Sequence, residues 1–135
     1  MNPGPSTLIN PAATAAVLAE VAAERAAQDA RWGQQDHVLG IGPDRQTAER
    51  TFAELAATWK RRCQLVARDG APEWAFIALE EVGEFLECTD PARARAEALQ
   101  AAAVFTAIVE AIDRQVAGGV LVAQADERLY LDDRT

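Results

Sequence analysis

Glu80, Glu81 and Glu84 crowd three carboxylates into five residues of a stretch whose flanks, Trp74-Ala75-Phe76-Ile77-Ala78-Leu79 and Phe85-Leu86, are apolar. Acidic side chains are almost never fully buried unless something pairs with them. On a helix, like charges three and four positions apart also repel. The pattern therefore asks for a cation. Twelve residues separate Glu84 from Glu97, and Thr89-Asp90-Pro91 between them reads as a turn that folds the chain back antiparallel. At 1.5 Å per helical residue, Glu84 lies roughly 9 Å and Glu97 roughly 10 Å from that turn. Matched heights would bring Glu81, Glu84 and Glu97 together, with the Gln100 amide one turn further on. An isolated acidic run is most often a solvated surface; the apolar flanks and the second acidic turn set this one apart.

Hard oxygen donors of this kind suit Mg²⁺ or Mn²⁺ and suit zinc poorly. Magnesium keeps waters and shares its sphere with substrate phosphates, so the pattern points to a phosphorylated substrate. Gly83 inside the same helix costs about 1 kcal/mol relative to alanine. Its presence anticipates the close approach of another backbone or of a ligand. A di-iron carboxylate bundle would need Glu-x-x-His pairs, and no histidine follows a glutamate by three residues.

The elements that must hold these groups are helical. Half of the 135 residues are hydrophobic, but alanine supplies much of that half, with only four Phe, three Trp and one Tyr. Alanine, leucine, glutamate and arginine are good helix formers, and the length suits one domain. The expectation is an all-α four-helix bundle. Alanine-rich faces let helices approach closely yet bury little area each, which favours a core shared with a second copy of the chain. A net charge of −8 argues against binding a nucleic-acid polymer. A small polyphosphate remains compatible, because a bound divalent metal reverses the local sign. Cys63 and Cys88 have no metal-ligand spacing and read as reduced thiols. With no signal-peptide pattern and no long apolar run, the expected protein is soluble and cytoplasmic, without a membrane span.

Residues 1–10 read as a flexible arm, 11–117 as the helical domain and 118–135 as a tail. Asn10-Pro11 pairs a capping side chain with proline at the first helical position, opening a helix to about Arg31 with Val17, Leu18 and Val21 on its apolar side. Residues 34–43 form a loop. Asp44 is expected to cap a second helix running to about Arg68, with Phe52, Leu55, Trp59, Cys63 and Val66 as its stripe. Asp69-Gly70 ends it. Pro72 is expected to open the third helix, to about Cys88. Asp90-Pro91 repeats the capping signature for a fourth, to about Val116, striped by Leu99, Ala102, Val104, Phe105, Ile108, Val109 and Ile112.

The far end of a phosphorylated substrate needs cations and a platform for a base. Lys60, Arg61 and Arg62 stand together on the second helix, and Lys60 is the sole lysine. Arg25 and Arg31 are alternatives, although Arg25 can pair with Asp29. Trp32 could stack on a base, and Gln35 and His37 carry atoms that read a base edge or a phosphate. Trp59 and Trp74 fit packing stripes. Arg114 falls roughly 21 Å beyond Gln100 along the helix, too far to serve the same metal within one chain.

Glu80-Glu81-Val82-Gly83-Glu84 followed by Glu97-Ala98-Leu99-Gln100 resembles the Glu-Glu-x-x-Glu … Glu-x-x-Asp signature of the MazG-like all-α nucleoside triphosphate pyrophosphohydrolases. The stretch Glu24-Arg25 … Gln28-Asp29-Ala30-Arg31-Trp32-Gly33-Gln34-Gln35-Asp36-His37 is similar to the N-terminal Trp-Gly motif of phage and actinobacterial members. Gln100-Ala101-Ala102-Ala103-Val104 and Glu110-Ala111-Ile112-Asp113-Arg114 fit the same subgroup, so the likeness spans roughly residues 15–117. It implies a Mg²⁺-dependent enzyme (Mn²⁺ as the alternative ion) that cleaves between the α and β phosphates, giving a nucleoside monophosphate and pyrophosphate. In those terms Glu81, Glu84, Glu97 and Gln100 hold the metal. Glu80 orients or deprotonates the attacking water, with exchange of roles between Glu80 and Glu81 left open. Arg25, Gln28, Arg31, Trp32, Gln35 and His37 of the Trp-Gly stretch become substrate contacts, beside Lys60 and Arg61 read from the basic run of the second helix. The likeness also implies a homodimer or homotetramer with sites completed across subunits. Gln100 stands where the wider family has Asp, leaving the site one negative charge short. The alternative expectation is a weakly active or non-catalytic nucleotide-binding module.

Overall fold

The computed structural model describes residues 9–70 and 73–119. Four helices occupy them: α1 (Pro11–Trp32), α2 (Phe52–Arg68), α3 (Trp74–Leu86) and α4 (Pro91–Ala117). Among the described residues there is no strand, only an isolated antiparallel bridge between Gln46 and Thr51. The all-α expectation holds. No described helix is long and apolar enough to cross a membrane. Residues 1–8 of the arm expected over 1–10, the opening of the third helix at Pro72, and residues 120–135 of the tail expected over 118–135 fall outside the described residues.

Two helix starts form as their sequences dictate. The Asn10 side chain accepts the Ala13 N–H at 3.1 Å, and the Asp90 side chain accepts that of Arg93 at 2.8 Å, each with proline next in the chain. The start of α2 differs from expectation. Thr51 rather than Asp44 is the cap, its hydroxyl accepting the Glu54 N–H at 3.1 Å. The cause is local. The Thr47 hydroxyl donates to the Arg50 carbonyl at 2.9 Å and accepts the Arg50 N–H at 3.0 Å. Side-chain bonds of this kind offer the backbone an alternative to helix, and here they close residues 47–50 into a turn. Phe52 N–H then reaches back to the Arg45 carbonyl and Ala53 N–H to that of Pro43. The Gly42 N–H donates to the Leu86 carbonyl at 2.8 Å and pins the loop to the end of α3.

The helices pack in a row. α2 lies against α3, α3 against α4, and α4 against α1; α1 touches neither α2 nor α3. Alanines mark the seams. Ala56, Ala78, Ala94 and Ala111 are buried, together with Val17, Val66, Cys88 and Thr106. The Thr106 hydroxyl is satisfied by the Ala102 carbonyl at 2.8 Å. Large apolar side chains stay outside: Leu18, Val21, Leu99, Phe105, Ile112 and Val116 are each 40% exposed or more. Much of the expected α4 stripe thus faces away from α3, uncovered by any described residue.

Gly83 resolves one open expectation. A Cβ there would sit 3.0 Å from the Ala56 Cα, 3.2 Å from its Cβ and 3.3 Å from Trp59 Cε3. It is the backbone of α2 that approaches. Gly83→Ala is expected to lower the melting temperature: overpacking costs about 1–3 kcal/mol, against about 1 kcal/mol regained in helix propensity. Thermal unfolding of the variant measures the net, and Gly83→Val should lose more.

Candidate metal centre

Adjacent turns of α3 present Glu81 and Glu84 on one side, and α4 brings Glu97 to the same height. One carboxylate oxygen from each lies within 4.8 Å of the others. All three residues are half-buried, and the Glu97 side chain is only 12% exposed. Glu81 Oε2 and Glu97 Oε2 are buried without a hydrogen-bond partner among the described residues. Arg93 Nε stands 4.0 Å from Glu97 Oε1, at the outer limit of an ion pair and on a largely exposed side chain. An ion pair so exposed neutralises little. Leaving a buried charged acceptor unmet is costly. A divalent cation among these oxygens would satisfy both orphaned atoms and cancel the repulsion, so the donor set fits Mg²⁺ or Mn²⁺.

The electrostatics agree with the geometry. Burial raises the Glu81 carboxyl above its ordinary value, and the charges of Glu97 and then Glu80 raise it further. Glu84 is raised by burial, then by its hydrogen bond with Glu97, then by the charges of Glu81, Glu97 and Glu80. Without a cation the cluster tends to retain protons.

Glu80 is half-buried beside the cluster, about 100° round α3 from Glu81. There it meets Cys63 of α2. Burial, the hydrogen bond to Glu80 and the charges of Glu80 and Glu81 push the Cys63 thiol up to about 11. Cys63 is therefore a neutral thiol at the edge of the acidic group, a placement its position in an apolar stripe did not reveal. Cys88, at the turn between α3 and α4, is buried, and its Sγ donates to the Glu84 carbonyl at 3.3 Å. Both cysteines are free.

The remaining expected contacts are dispersed. Gln100 is exposed on α4, one turn beyond Glu97. Lys60 is exposed on α2, three residues from Cys63 and so on the same flank. Arg61 instead lines a cavity of 390 Å³ with Thr58, Arg62 and Leu65. Arg25 is engaged within α1, bonding Gln28 at 2.7 Å and Asp29 at 2.8 Å. The Arg31 guanidinium stacks 4.8 Å from the Trp32 ring centroid, and Trp32 is half exposed. Gln35 and His37 are exposed in the loop after α1. No described contact joins this N-terminal group to the carboxylates. Arg114 belongs to the α1–α4 seam, in a cavity of 640 Å³ with Asn10, Val17, Glu20 and Glu110. There the Thr14 hydroxyl donates to Glu110 at 2.7 Å.

Comparison with protein-family models, curated proteins and solved structures finds no match.

Proposed function

We propose that this chain is a Mg²⁺-dependent nucleoside triphosphate pyrophosphohydrolase of the MazG-like kind, acting in the cytoplasm and releasing a nucleoside monophosphate and pyrophosphate. The observation that carries the reading is the convergence of Glu81, Glu84 and Glu97 from two helices, within 4.8 Å of one another, with two buried oxygens unmet. These three residues would hold the ion, with Gln100 available through its amide oxygen. Bound there, Mg²⁺ supplies positive charge against phosphate oxygens and acidifies water. Glu80 accepts the proton of the attacking water while the bond to the departing pyrophosphate oxygen breaks. The Cys63 thiol, donating to Glu80, fixes that carboxylate's orientation. Lys60, on the same flank, is the nearest candidate for the distal phosphates.

Pyrophosphate release across a panel of ribo- and deoxynucleoside triphosphates, with Mg²⁺ and with Mn²⁺, tests the reading. Metal-dependent release from at least one triphosphate is expected. A second reading, a nucleotide-binding module with little turnover, is favoured by one observation: the fourth expected ligand is a neutral amide on an exposed residue. Binding without release would select it.

The uncovered apolar faces of α1 and α4 favour a second copy of the chain as their cover. In such an oligomer Arg25, Gln28, Arg31, Trp32, Gln35 and His37 would serve a site across the subunit boundary. Light scattering after size exclusion should give at least a dimer, homodimer or homotetramer. Phe105→Glu, placing a charge on the exposed face of α4, should drive it to monomer; an unchanged mass would remove that face from the interface.

A further inference from the structure

The run Lys60-Arg61-Arg62 does not act as one patch, because the helix divides it. Trp59 packs on Gly83 beside Ala56, and relative to Trp59 at 100° per residue Cys63 and Lys60 fall to one side and Thr58 and Arg62 to the other. On α3, Glu80 and Glu84 lie on the first side of Gly83 and Leu79 on the second. The α2–α3 layer therefore has two faces. One carries the carboxylates; the other carries a groove they do not enter.

Two adjoining cavities make that groove. One, of 310 Å³, is lined by Arg50, Thr58, Trp59, Arg62, Phe76 and Leu79. The second, of 390 Å³, is lined by Thr58, Arg61, Arg62 and Leu65. Thr58 and Arg62 line both, so the two cavities adjoin. The guanidiniums of Arg50 and Arg61 and the Thr58 hydroxyl line the groove, and among the described residues no carboxylate does, in a chain whose net charge is −8. Arg50 is held toward the groove by its contact with the Thr58 hydroxyl at 3.5 Å. Trp59 is fixed by its packing on Gly83 and, with Phe76 and Leu79, supplies an apolar wall.

We propose that this groove is a second ligand site, for a small phosphate ester carried on a planar or apolar body. Guanidinium forks match phosphate oxygens in a way that a single ammonium does not, and an aromatic wall beside them suits the body of the ester. The site needs no metal and does not depend on the pyrophosphohydrolase reading. It lies on the far face of α2–α3 from the carboxylates, so its ligand is an effector or a second molecule rather than the phosphates held at Glu81, Glu84 and Glu97.

Titration of the full chain with AMP in EDTA, followed by tryptophan fluorescence and by calorimetry, tests this. Saturable binding is expected. Arg50→Gln combined with Arg61→Gln should weaken it at least tenfold while far-UV circular dichroism and melting temperature stay unchanged, and Glu84→Gln should leave it intact. Adenosine should bind at least tenfold more weakly than AMP. Absence of saturable binding, equal affinity for adenosine, indifference to the arginine substitutions, or loss on Glu84→Gln would each overturn the proposal. The last of these would move the ligand to the carboxylate site.

Discussion

Glu84→Gln is expected to abolish Mg²⁺-dependent pyrophosphate release, by at least about a hundredfold, while the helices stay intact. Even partners that only orient a ligand are worth about 10–100-fold in metal affinity or activity, and Glu84 is placed as a ligand itself. It shares the α3 face with Glu81, bonds to Glu97 across the seam, and has an oxygen within 4.8 Å of both. Its backbone carbonyl, which receives the Cys88 thiol, is untouched by the substitution. Circular dichroism should be unchanged, and the metal-free variant should be more stable than the parent because one raised carboxyl is gone. Turnover that survives Glu84→Gln would sink the assignment of the site.

The second large effect is on stability, and its sign follows from the raised carboxyls. Glu81 and Glu84 hold their protons to higher pH in the folded chain than in the unfolded one. Between the ordinary carboxylate value and the raised folded value, the native state binds more protons, so stability falls as pH rises. The metal-free protein is therefore expected to lose stability from about pH 4.5 upward, until both groups are ionised in the fold. Cys63, neutral until far higher pH, adds nothing over this range. Saturating Mg²⁺ or Mn²⁺ should reverse the trend, since the ion takes the place of the protons. At a hundredfold excess over Kd the ion stabilises by about 2.7 kcal/mol. Urea unfolding across pH, with EDTA and with Mg²⁺, checks both halves. The same pH slope under both conditions would mean that no cation enters the cluster.

Much of this was legible in the residues. Asn10-Pro11 and Asp90-Pro91 announced their helices because each cap is a bond between neighbours in sequence. The rise per residue sufficed to match Glu84 with Glu97 across the turn. The start of α2 was not legible, because the hydroxyl and N–H of Thr47 close residues 47–50 into a turn ahead of the helix expected from Asp44. Apolar spacing marked the stripe of α4 but carried no information on its cover, and Leu99, Phe105 and Ile112 are left facing outward. Cys63 fitted a packing stripe so well that its place beside Glu80 stayed hidden. The basic run looked like one feature until the turn of the helix sent Lys60 and Arg62 to different faces.

Among the described residues α1 has one seam, the one with α4, and a consequence follows from it. The cavity at that seam is lined by Asn10 and α1 residues up to Glu20 and by Glu110, Asp113 and Arg114 of α4, with Thr14 bonded to Glu110, and residues 33–51 lead from α1 to α2. Each described contact between α1 and α4 would be available on the α4 of another copy as well as on its own. An α1 seated on the α4 of a second copy would break no described bond inside α2, α3 or α4, and the carboxylates shared by α3 and α4 would stay together.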